Sequence, residues 1–340
     1  MSIKHAIEAL VNERRDLTED EAAEAMLEVF AGEATPAQLS AFLVALRLKG
    51  ETVDEIVGMA KVMRDHSLHV EVAGPLLDTC GTGGDGTGAF NISTASAFVA
   101  AGAGARVAKH GNRAMSSGCG SADVLEALGA KIDLTPEQVA QCIEETGFGF
   151  MFAQAFHPAM KYAAPTRREI GIRTAFNILG PLTNPAGAEY QLLGVARPEL
   201  APLMAGVLHR LGSQRVLVIH GHDGSDELTL DGACPVYELN DGEVKEYKIE
   251  ARRFGLTTAL STAIKGGTPE QNVSTLTSLL AGETGPIRDV VLLNSAAALI
   301  AADIATDIKD GIERASESID SGKAKQRMDG FVKLSQSFDQ

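Results

Sequence analysis

The sequence predicts an α/β protein in which a small helical domain precedes a larger domain built on a mostly parallel β-sheet. Three observations support this prediction. The first 70 residues contain three helix-start signals. From Val70 onward, short apolar runs that end at glycines alternate with helical patterns, which is typical of βα units. The chain has 340 residues, enough for about two domains at roughly 100–200 residues each.

Three capping boxes predict three short helices in the N-terminal region. The boxes are Thr18-x-x-Glu21, Thr35-Pro-x-Gln38 and Thr52-x-x-Glu55. In each, the threonine hydroxyl can accept a hydrogen bond from a free amide at the helix start, while the side chain three residues on reaches back. Apolar residues at helical spacing follow each box. We interpret all three boxes as helix caps without a further role.

Strands and helices then alternate through the middle of the chain. The predicted strands are 76–80, 105–109, 148–152, 192–195 and 216–219. The predicted helices begin at Ser93 and Thr135 and span 122–128 and 199–211. This alternation favours parallel pairing. By contrast, 236–239 and 244–249 are joined through Asn240-Asp241-Gly242 and predict an antiparallel hairpin at a sheet edge. The chain after Pro269 is predicted to be mostly helical, with a polar break at 320–325.

The charge balance argues against a nucleic-acid-binding or membrane protein. With 30 Lys and Arg against 45 Asp and Glu, the net charge is −15, which repels polyanions except where basic residues gather locally. No apolar run approaches the ~18 residues of a membrane span, and the N-terminus lacks the apolar core of a secretory signal. The four widely spaced cysteines predict neither a zinc site nor a disulfide framework. We therefore expect a cytoplasmic protein.

The strongest local signal is a run with five glycines in eight residues, Gly81 to Gly88, directly after a predicted strand. Glycine accepts positive φ and has no Cβ, so backbone amides can converge on phosphate oxygens, and the next helix N-terminus adds positive potential. The run matches neither the P-loop nor Gly-x-Gly-x-x-Gly. A tight turn alone explains it about equally well, so a phosphate site needs a second observation.

A second polar loop, at 109–117, provides that observation. It follows the next predicted strand, so it opens at the same sheet edge. From 105 to 121 the chain carries three full positive charges and no carboxylate, unlike the acidic remainder. The charged and hydrogen-bonding members of the loop are Lys109, Arg113, Asn112, Ser116 and Ser117. Two such loops predict a ligand with phosphates at two ends; the alternative is a solvated basic loop.

Two further motifs are interpreted together with these two loops. Asn91-Ile-Ser-Thr94 lies where the glycine run enters its helix, and on their own Ser93 and Thr94 are ordinary N-caps. Asp226-Glu227 follows the predicted strand 216–219. Adjacent carboxylates at a strand end suit Mg²⁺, which prefers oxygen ligands and shares them with phosphates. Alone such a pair is surface charge, but beside two phosphate loops it predicts a metal bridge.

Taken together, these motifs resemble the anthranilate phosphoribosyltransferases. The motifs are Gly81-Thr-Gly-Gly-Asp85, Asn91-Ile-Ser-Thr94, Lys109-His-Gly-Asn-Arg113, Arg167-Arg168 with Gly171-Ile-Arg-Thr174, Asn177-x-Leu-Gly-Pro-Leu-Thr-Asn-Pro185 and Asp226-Glu227. The resemblance continues to Val290-Val-Leu-Leu-Asn294 and covers nearly the whole chain. It implies transfer of the 5-phosphoribosyl group from phosphoribosyl pyrophosphate to the amine of anthranilate in tryptophan biosynthesis.

The resemblance also implies an architecture and partners. The fold would be like that of nucleoside phosphorylases, with a helical domain at 1–70, completed by about 165–185, and an α/β domain at 71–164 and 186–340. The expected partners are the two small-molecule substrates, Mg²⁺ and a second copy of the chain in a homodimer. The expectation includes neither nucleic acid nor membrane.

Ligand roles follow from the resemblance residue by residue. Anthranilate would be received by Gly81, Asn112 and Arg167, with the Arg167 guanidinium paired to its carboxylate. Mg²⁺ would be bound by Ser93, Asp226 and Glu227. The residues implied to bind phosphoribosyl pyrophosphate are Gly81, Gly84, Asp85, Asn91, Ile92, Ser93, Thr94, Lys109, His110, Gly111, Asn112, Arg113, Ala114, Met115, Ser116, Ser117 and Ser121. The sequence departs from many relatives at Ala89 and Cys119, where a hydroxyl is common.

No side chain is assigned as a dedicated catalyst. The aniline nitrogen is neutral at pH 7 and can attack the sugar without prior deprotonation, so the barrier lies in expelling pyrophosphate. His110 and His157 are candidates for accepting a proton after attack, with a structural role as the alternative. Two other functions remain open here: a related phosphoribosyltransferase or nucleoside phosphorylase for another base, and an inactive nucleic-acid-binding protein of the same fold.

Overall fold

The computed structural model describes residues 2–114 and 118–338. Its N-terminal region is helical, and all three predicted capping boxes form: each threonine hydroxyl accepts from the amide three residues on, and the Glu or Gln there accepts from the threonine amide. A capping box satisfies two amides that the helix itself leaves free. The helices are α1 (Ile3–Glu8), α2 (Glu19–Phe30), α3 (Pro36–Lys49) and α4 (Val53–Asp65).

The rest of the chain alternates strands and helices, as predicted. The strands are β1 (Leu77–Gly81), β2 (Val107–Gly111), β3 (Phe148–Phe152), β4 (Tyr190–Gly194), β5 (Arg215–Ile219), β6 (Ala233–Asn240) and β7 (Glu243–Glu250). The helices are α5 (Ile92–Gly102), α6 (Ser121–Ala127), α7 (Pro136–Thr146), α8 (Ala153–Phe156), α9 (Ala164–Ile170), α10 (Phe176–Leu179), α11 (Leu200–Arg210), α12 (Pro269–Leu280), α13 (Pro286–Ala301), α14 (Ile308–Asp320) and α15 (Lys323–Ser337).

Most element bounds differ from the prediction by one to three residues, and for two of them the structure shows a local reason. β2 begins at Val107 rather than at 105, because the Ala105 amide donates to the Ala100 carbonyl in the turn that ends α5. The polar break expected at 320–325 shrinks to the short step between α14 and α15, where Gly322 adopts a φ of +76°. The helices therefore extend into residues that polarity alone assigns to a loop.

The described strands form a seven-stranded sheet in the order β3-β2-β1-β4-β5-β6-β7. The pairs from β3 to β5 are parallel, whereas β6 and β7 are antiparallel, which confirms the hairpin at the edge. The chain runs outward from β1 to β3 and then returns to β4 on the other side of β1. This reversal leaves a crevice at the carboxyl ends of β1 and β4, where Gly81 pairs with Gly194.

Two apolar cores lie on opposite faces of the sheet, because successive strand residues alternate between faces. Leu192 and Leu217 belong to a core with α5 and α13, whereas Leu193 and Val218 belong to a core with α2, α3 and α4. The second core also includes residues of α10 and α11. The helical region is thus packed directly on one sheet face, and the domain boundaries given above remain a prediction. No described helix is long and apolar enough to cross a bilayer.

Candidate active site

A cleft of about 1060 Å³ opens at the carboxyl edge of β1, β2 and β4. One wall consists of the glycine loop (residues 81–88), the start of α5 and the loop after β2; the other contains α9 and residues 171–180. Every predicted site residue that the structure describes lines this cleft, although the residues are spread from Gly81 to Glu227. Met115, Ser116 and Ser117 lie outside the described residues.

The glycine loop lies directly against Asp226. The Gly83 amide donates to Asp226 Oδ2 at 2.7 Å, with Gly83 at a φ of +66°. A Cβ at Gly81 would lie 2.2 Å from the same carboxylate oxygen, so a side chain there would displace Asp226. The absence of a side chain at Gly81 and the left-handed backbone at Gly83 together let the loop approach the carboxylate.

The N-terminus of α5 opens into the cleft without a side-chain cap. Asn91 occupies the N-cap position but makes no cap hydrogen bond, since its amide group donates to the Cys119 carbonyl at 3.0 Å. The alternative that Ser93 or Thr94 caps this helix is therefore wrong. The Ile92 amide donates to the Phe90 carbonyl at 2.6 Å, which leaves the Ser93 and Thr94 amides for acidic groups, and Glu227 lies beside the Ser93 amide.

Asp226 and Glu227 form a pair of partly exposed carboxylates with too little positive charge around them. Desolvation, with Asp85 nearby, raises the pKa of Asp226 to about 6. Desolvation and the Asp226 charge also raise the pKa of Glu227 well above its usual range, against the opposing effect of Lys109. A divalent cation would relieve both carboxylates, and their oxygen ligands fit Mg²⁺.

The carboxylate pair does not form a complete metal site by itself. No cluster of three or more His, Cys, Asp or Glu side chains within 2–114 and 118–338 is arranged to hold a metal. An ion at Asp226 and Glu227 would therefore need oxygens from Ser93, water or substrate phosphates. Mg²⁺ commonly binds in this shared manner.

Lys109 lines the cleft floor but is almost fully buried, and its ammonium group is bonded within the protein. Its ammonium group donates to the Thr79 carbonyl and to Ser93 Oγ, the latter at 3.2 Å, and the side chain is 2% exposed. Sequence analysis missed its counter-charge, Asp78, which is fully buried in β1 and accepts from the His110 amide at 3.2 Å. Burial raises the pKa of Asp78 and lowers that of Lys109, while their attraction opposes both shifts. An aspartate inside a predicted apolar strand is the feature of the sequence that could have revealed this buried counter-charge.

Arg113 does not supply the free positive charge that the sequence suggested. Its guanidinium pairs with Glu126 on α6, at 2.9 Å from Nη2 to Oε1, and also approaches Asp123. The loop is free of carboxylates in sequence, but α6 folds back and brings two of them to Arg113. Its role at the phosphates remains a prediction.

The opposite wall presents a positively charged group without an anionic partner. Arg167 on α9 is partly buried and lies 5.0 Å from the centre of the Phe176 ring. Burial lowers the pKa of this guanidinium, and within the described ranges no carboxylate lies at ion-pair distance from it. A small carboxylate ligand would provide the missing charge.

His110 and His157 lie together at the back of this wall, with ring centres 5.0 Å apart. His110 Nδ1 lies 3.1 Å from the Gly180 carbonyl, so this nitrogen carries the proton and Nε2 is left without a partner. Burial lowers the pKa of His110 to about 3 and that of His157 to about 4. Both rings are therefore neutral near pH 7.

Arg173 spans the cleft, although the sequence alone assigned it no individual role. Arg173, which follows α9, donates to the Gly84 carbonyl of the glycine loop. A Cβ at Gly84 would lie 2.6 Å from the Arg173 guanidinium. The motif Gly171 to Thr174 contained this arginine, but only the tertiary structure brings it to the glycine loop.

Comparison with known proteins agrees with this geometry. Residues 4–67 match the model of the glycosyl transferase family helical bundle domain, and residues 73–325 match that of the glycosyl transferase family a/b domain. The fold and the cleft thus define a glycosyltransferase with these two parts, and the predicted fold class is confirmed.

Comparison with individual relatives makes the family assignment more specific. Anthranilate phosphoribosyltransferase from Roseiflexus castenholzii is 58% identical over 94% of this chain and 95% of its own length. The crystal structure of the Thermus thermophilus enzyme superposes with a TM-score of 0.92 at 46% identity, covering 97% of this chain and 99% of that one. The Saccharomyces cerevisiae enzyme in complex with PRPP and Mg gives a TM-score of 0.91 at 29% identity, with 98% of both chains covered; another structure of it contains 4-fluoroanthranilate. The chain belongs to the anthranilate phosphoribosyltransferase family, which confirms the resemblance.

Proposed function

We propose that this anthranilate phosphoribosyltransferase binds phosphoribosyl pyrophosphate along the glycine loop and the start of α5, and anthranilate against Arg167. Mg²⁺ would bind at Ser93, Asp226 and Glu227. The observation that supports this most directly is the single cleft that contains the glycine loop, both carboxylates and Arg167. Nothing in the comparisons supports the alternative of another base as substrate.

The donor site depends mainly on backbone groups. Glycine-loop amides and the uncapped first turn of α5 both face the cleft, and an anion there gains hydrogen bonds and the favourable end of the helix dipole. Lys109 adds positive charge from below through Ser93. Because these groups are already in position, they need little rearrangement when pyrophosphate charge develops.

The proposed metal site supports departure of the leaving group. Mg²⁺, when bound, supplies charge neutralisation to the pyrophosphate oxygens. Asp226 accepts from the Gly83 amide at 2.7 Å and Glu227 lies beside the Ser93 amide, so both carboxylates adjoin the proposed phosphate-binding segments. A change in the charge on either carboxylate therefore directly affects the proposed phosphoribosyl pyrophosphate site.

The acceptor site orients anthranilate through its carboxylate. A guanidinium is planar and can pair with a carboxylate through two parallel hydrogen bonds, which also sets the direction of the neighbouring amine. The neutral His110 and His157 rings provide a wall that does not compete for this carboxylate. This arrangement supports a ligand with one anionic group and one aromatic ring.

The chemistry then requires positioning rather than a strong base. The amine lone pair forms a bond to C1 of the ribose while the C1–oxygen bond breaks and its electron pair leaves with pyrophosphate. The nitrogen subsequently releases a proton, for which His110 Nε2 is a candidate acceptor because it has no other partner. Holding both reactants in one cleft lowers the entropic part of the barrier.

We include a homodimer and a cytoplasmic location in the proposal. Large apolar side chains are exposed in the helical region, namely Val11, Leu27 and Leu48 at 53%, 44% and 83%. Burial against a second copy would remove this surface from water. All four cysteines are free thiols, as expected in a reducing compartment. Sedimentation velocity tests the dimer, and cell fractionation tests the location.

Anthranilate fluorescence provides the direct test of the activity. Purified protein with anthranilate, phosphoribosyl pyrophosphate and Mg²⁺ should consume the fluorescence, and omission of the donor or chelation of the metal should prevent it. A panel with adenine, uracil and nicotinate in place of anthranilate should give no product. Failure to consume anthranilate by folded protein, or equal use of another base, would contradict the proposal.

A further inference from the structure

A backbone strap outside the cleft holds the glycine loop from behind. We define the strap as residues 264–268, which lead into α12. The Phe90 amide donates to the Ile264 carbonyl and the Gly266 amide donates to the Gly88 carbonyl, both at 2.9 Å, and Ala89 and Lys265 form an antiparallel bridge. The end of the glycine loop is thus paired with the strap like a short strand.

Asn272 on α12 connects the strap to the start of α5. Its Oδ1 accepts from the Gly267 amide at 2.7 Å, and its Nδ2 donates to Asn91 Oδ1 at 2.8 Å. Asn91 in turn donates to the Cys119 carbonyl, at the far end of the second phosphate loop. Asn272 is 2% exposed and does not line the cleft.

The direction of this hydrogen-bond chain is set at both ends. A backbone N–H at Gly267 can only donate, and the Cys119 carbonyl can only accept. Both asparagine amides are therefore oriented the same way, and neither can flip without placing two oxygens or two N–H groups opposite each other. The chain links residues 181 positions apart and explains why Asn91 leaves the α5 terminus uncapped.

We propose that Asn272 is a positioning residue for phosphoribosyl pyrophosphate, which holds the strap behind the glycine loop, the start of α5 and Cys119 in the relative placement that the donor requires. The inference rests on the proposed donor site. It adds a residue that contacts neither substrate and acts through Asn91 and the strap. Because Asn91 bonds to Cys119, just after the second loop, the loss of Asn272 should reduce donor binding and leave the Arg167 side of the anthranilate site intact.

Two substitutions at this position separate positioning from simple packing. Asn272→Ala removes both hydrogen bonds. Asn272→Asp keeps an acceptor for the Gly267 amide, but its second oxygen faces Asn91 Oδ1, so Asn91 must flip and lose its bond to Cys119. Both variants should raise the donor Kd and KM roughly tenfold, the effect of losing a buried hydrogen bond. The KM for anthranilate at saturating donor should stay within about twofold.

Gln271→Ala is the matched control. Gln271 is the exposed neighbour of Asn272 and bonds back to the Thr268 amide at 2.9 Å, so its loss weakens the start of α12 without touching Asn91. It should lower the melting temperature and leave the donor Kd unchanged. Calorimetric titration with phosphoribosyl pyrophosphate, melting curves and initial rates give the three readouts.

A further variant covers the case in which Asn272 substitutions do not fold. In Gly266→Ala the added Cβ would lie 2.9 Å from the Ala89 carbonyl and 3.1 Å from Asn272 Nδ2, so it pushes the strap off both the glycine loop and the Asn272 side chain without removing Asn272. It too should weaken donor binding selectively. Equal changes in both substrates, or lower melting temperatures with wild-type donor Kd, would overturn the inference. If the wild-type protein itself fails to bind the donor, the proposed function is wrong instead.

Discussion

The two walls of the cleft carry opposite uncompensated charges. On the sheet side, Asp226 and Glu227 are desolvated carboxylates whose pKa values are raised. On the helical side, Arg167 is a desolvated guanidinium whose pKa is lowered, over the Phe176 ring. In the free protein the charged form of each of these groups is disfavoured, because the group of opposite charge that would pair with it is not part of the chain.

The difference in charge indicates which class of ligand suits each wall. The sheet wall combines anion-binding amides with carboxylates that need a cation, so it fits a phosphate and a divalent metal together. The helical wall needs only one anionic group beside an aromatic surface.

Removal of a carboxylate from the sheet wall should have the largest effect. We expect Asp226→Asn to lower kcat/KM by roughly 10²–10³-fold, because charge on the departing pyrophosphate loses its electrostatic support. Initial rates across a Mg²⁺ series measure the loss. Asp223→Asn in the same loop, which removes a carboxylate bonded to the Ser225 amide, is the control and should remain near wild type. Similar losses in both variants would show a loop defect instead.

Removal of the guanidinium from the helical wall should have a smaller and more selective effect. Arg167→Ala should raise the KM for anthranilate roughly 10–100-fold, the worth of a hydrogen-bonded charge pair. The donor KM should change little. Glu169→Ala, at an exposed position of α9 that does not line the cleft, should leave both values near wild type. An equal rise in both KM values for Arg167→Ala would refute the proposed contact between this wall and the anthranilate carboxylate.

The buried histidines predict a modest dependence of stability on pH. Burial lowers the pKa of His157 to about 4, below the value of about 6.5 in an unfolded chain. Between these values the unfolded chain binds more protons, so stability is present above pH 6.5 and is lost as the pH falls. One such histidine should account for about 2 kcal/mol of the loss from pH 7 to pH 5.

Urea unfolding of wild type and His157→Gln tests this effect. The free energy of unfolding of the variant should fall by about 2 kcal/mol less than that of wild type from pH 7 to pH 5. Measurements at pH 8, where the histidine is neutral in both states, provide the reference difference. Parallel pH curves for the two proteins would show that His157 is not held neutral.

Much of the architecture could be predicted because its signals are local. The threonine boxes satisfy amides a few residues away, and strand residues alternate or form short apolar runs, so neither needs distant contacts. The parallel order of the strands then implied that the two phosphate loops meet at one edge. Gly81, Lys109 and Asp226 were assigned to one site on this basis, and they do line one cleft.

The charge environment of the site could not be predicted in the same way. Arg113 lies in a stretch without carboxylates, yet the fold of α6 places Glu126 against it. Lys109 is buried at the cleft floor with Asp78 of β1 as its nearby counter-charge. Desolvation and pairing depend on neighbours that are remote in sequence, and no local pattern reports them.

The chain by itself thus determined its helices, its strands and the chemical types in its loops, since these follow from hydrogen bonds and burial patterns within a few residues. Only the tertiary structure decided that Arg173 reaches the glycine loop and that Asn272 supports Asn91 from behind. Both depend on contacts between segments far apart in the chain, and such contacts form only when the sheet and the helices pack together.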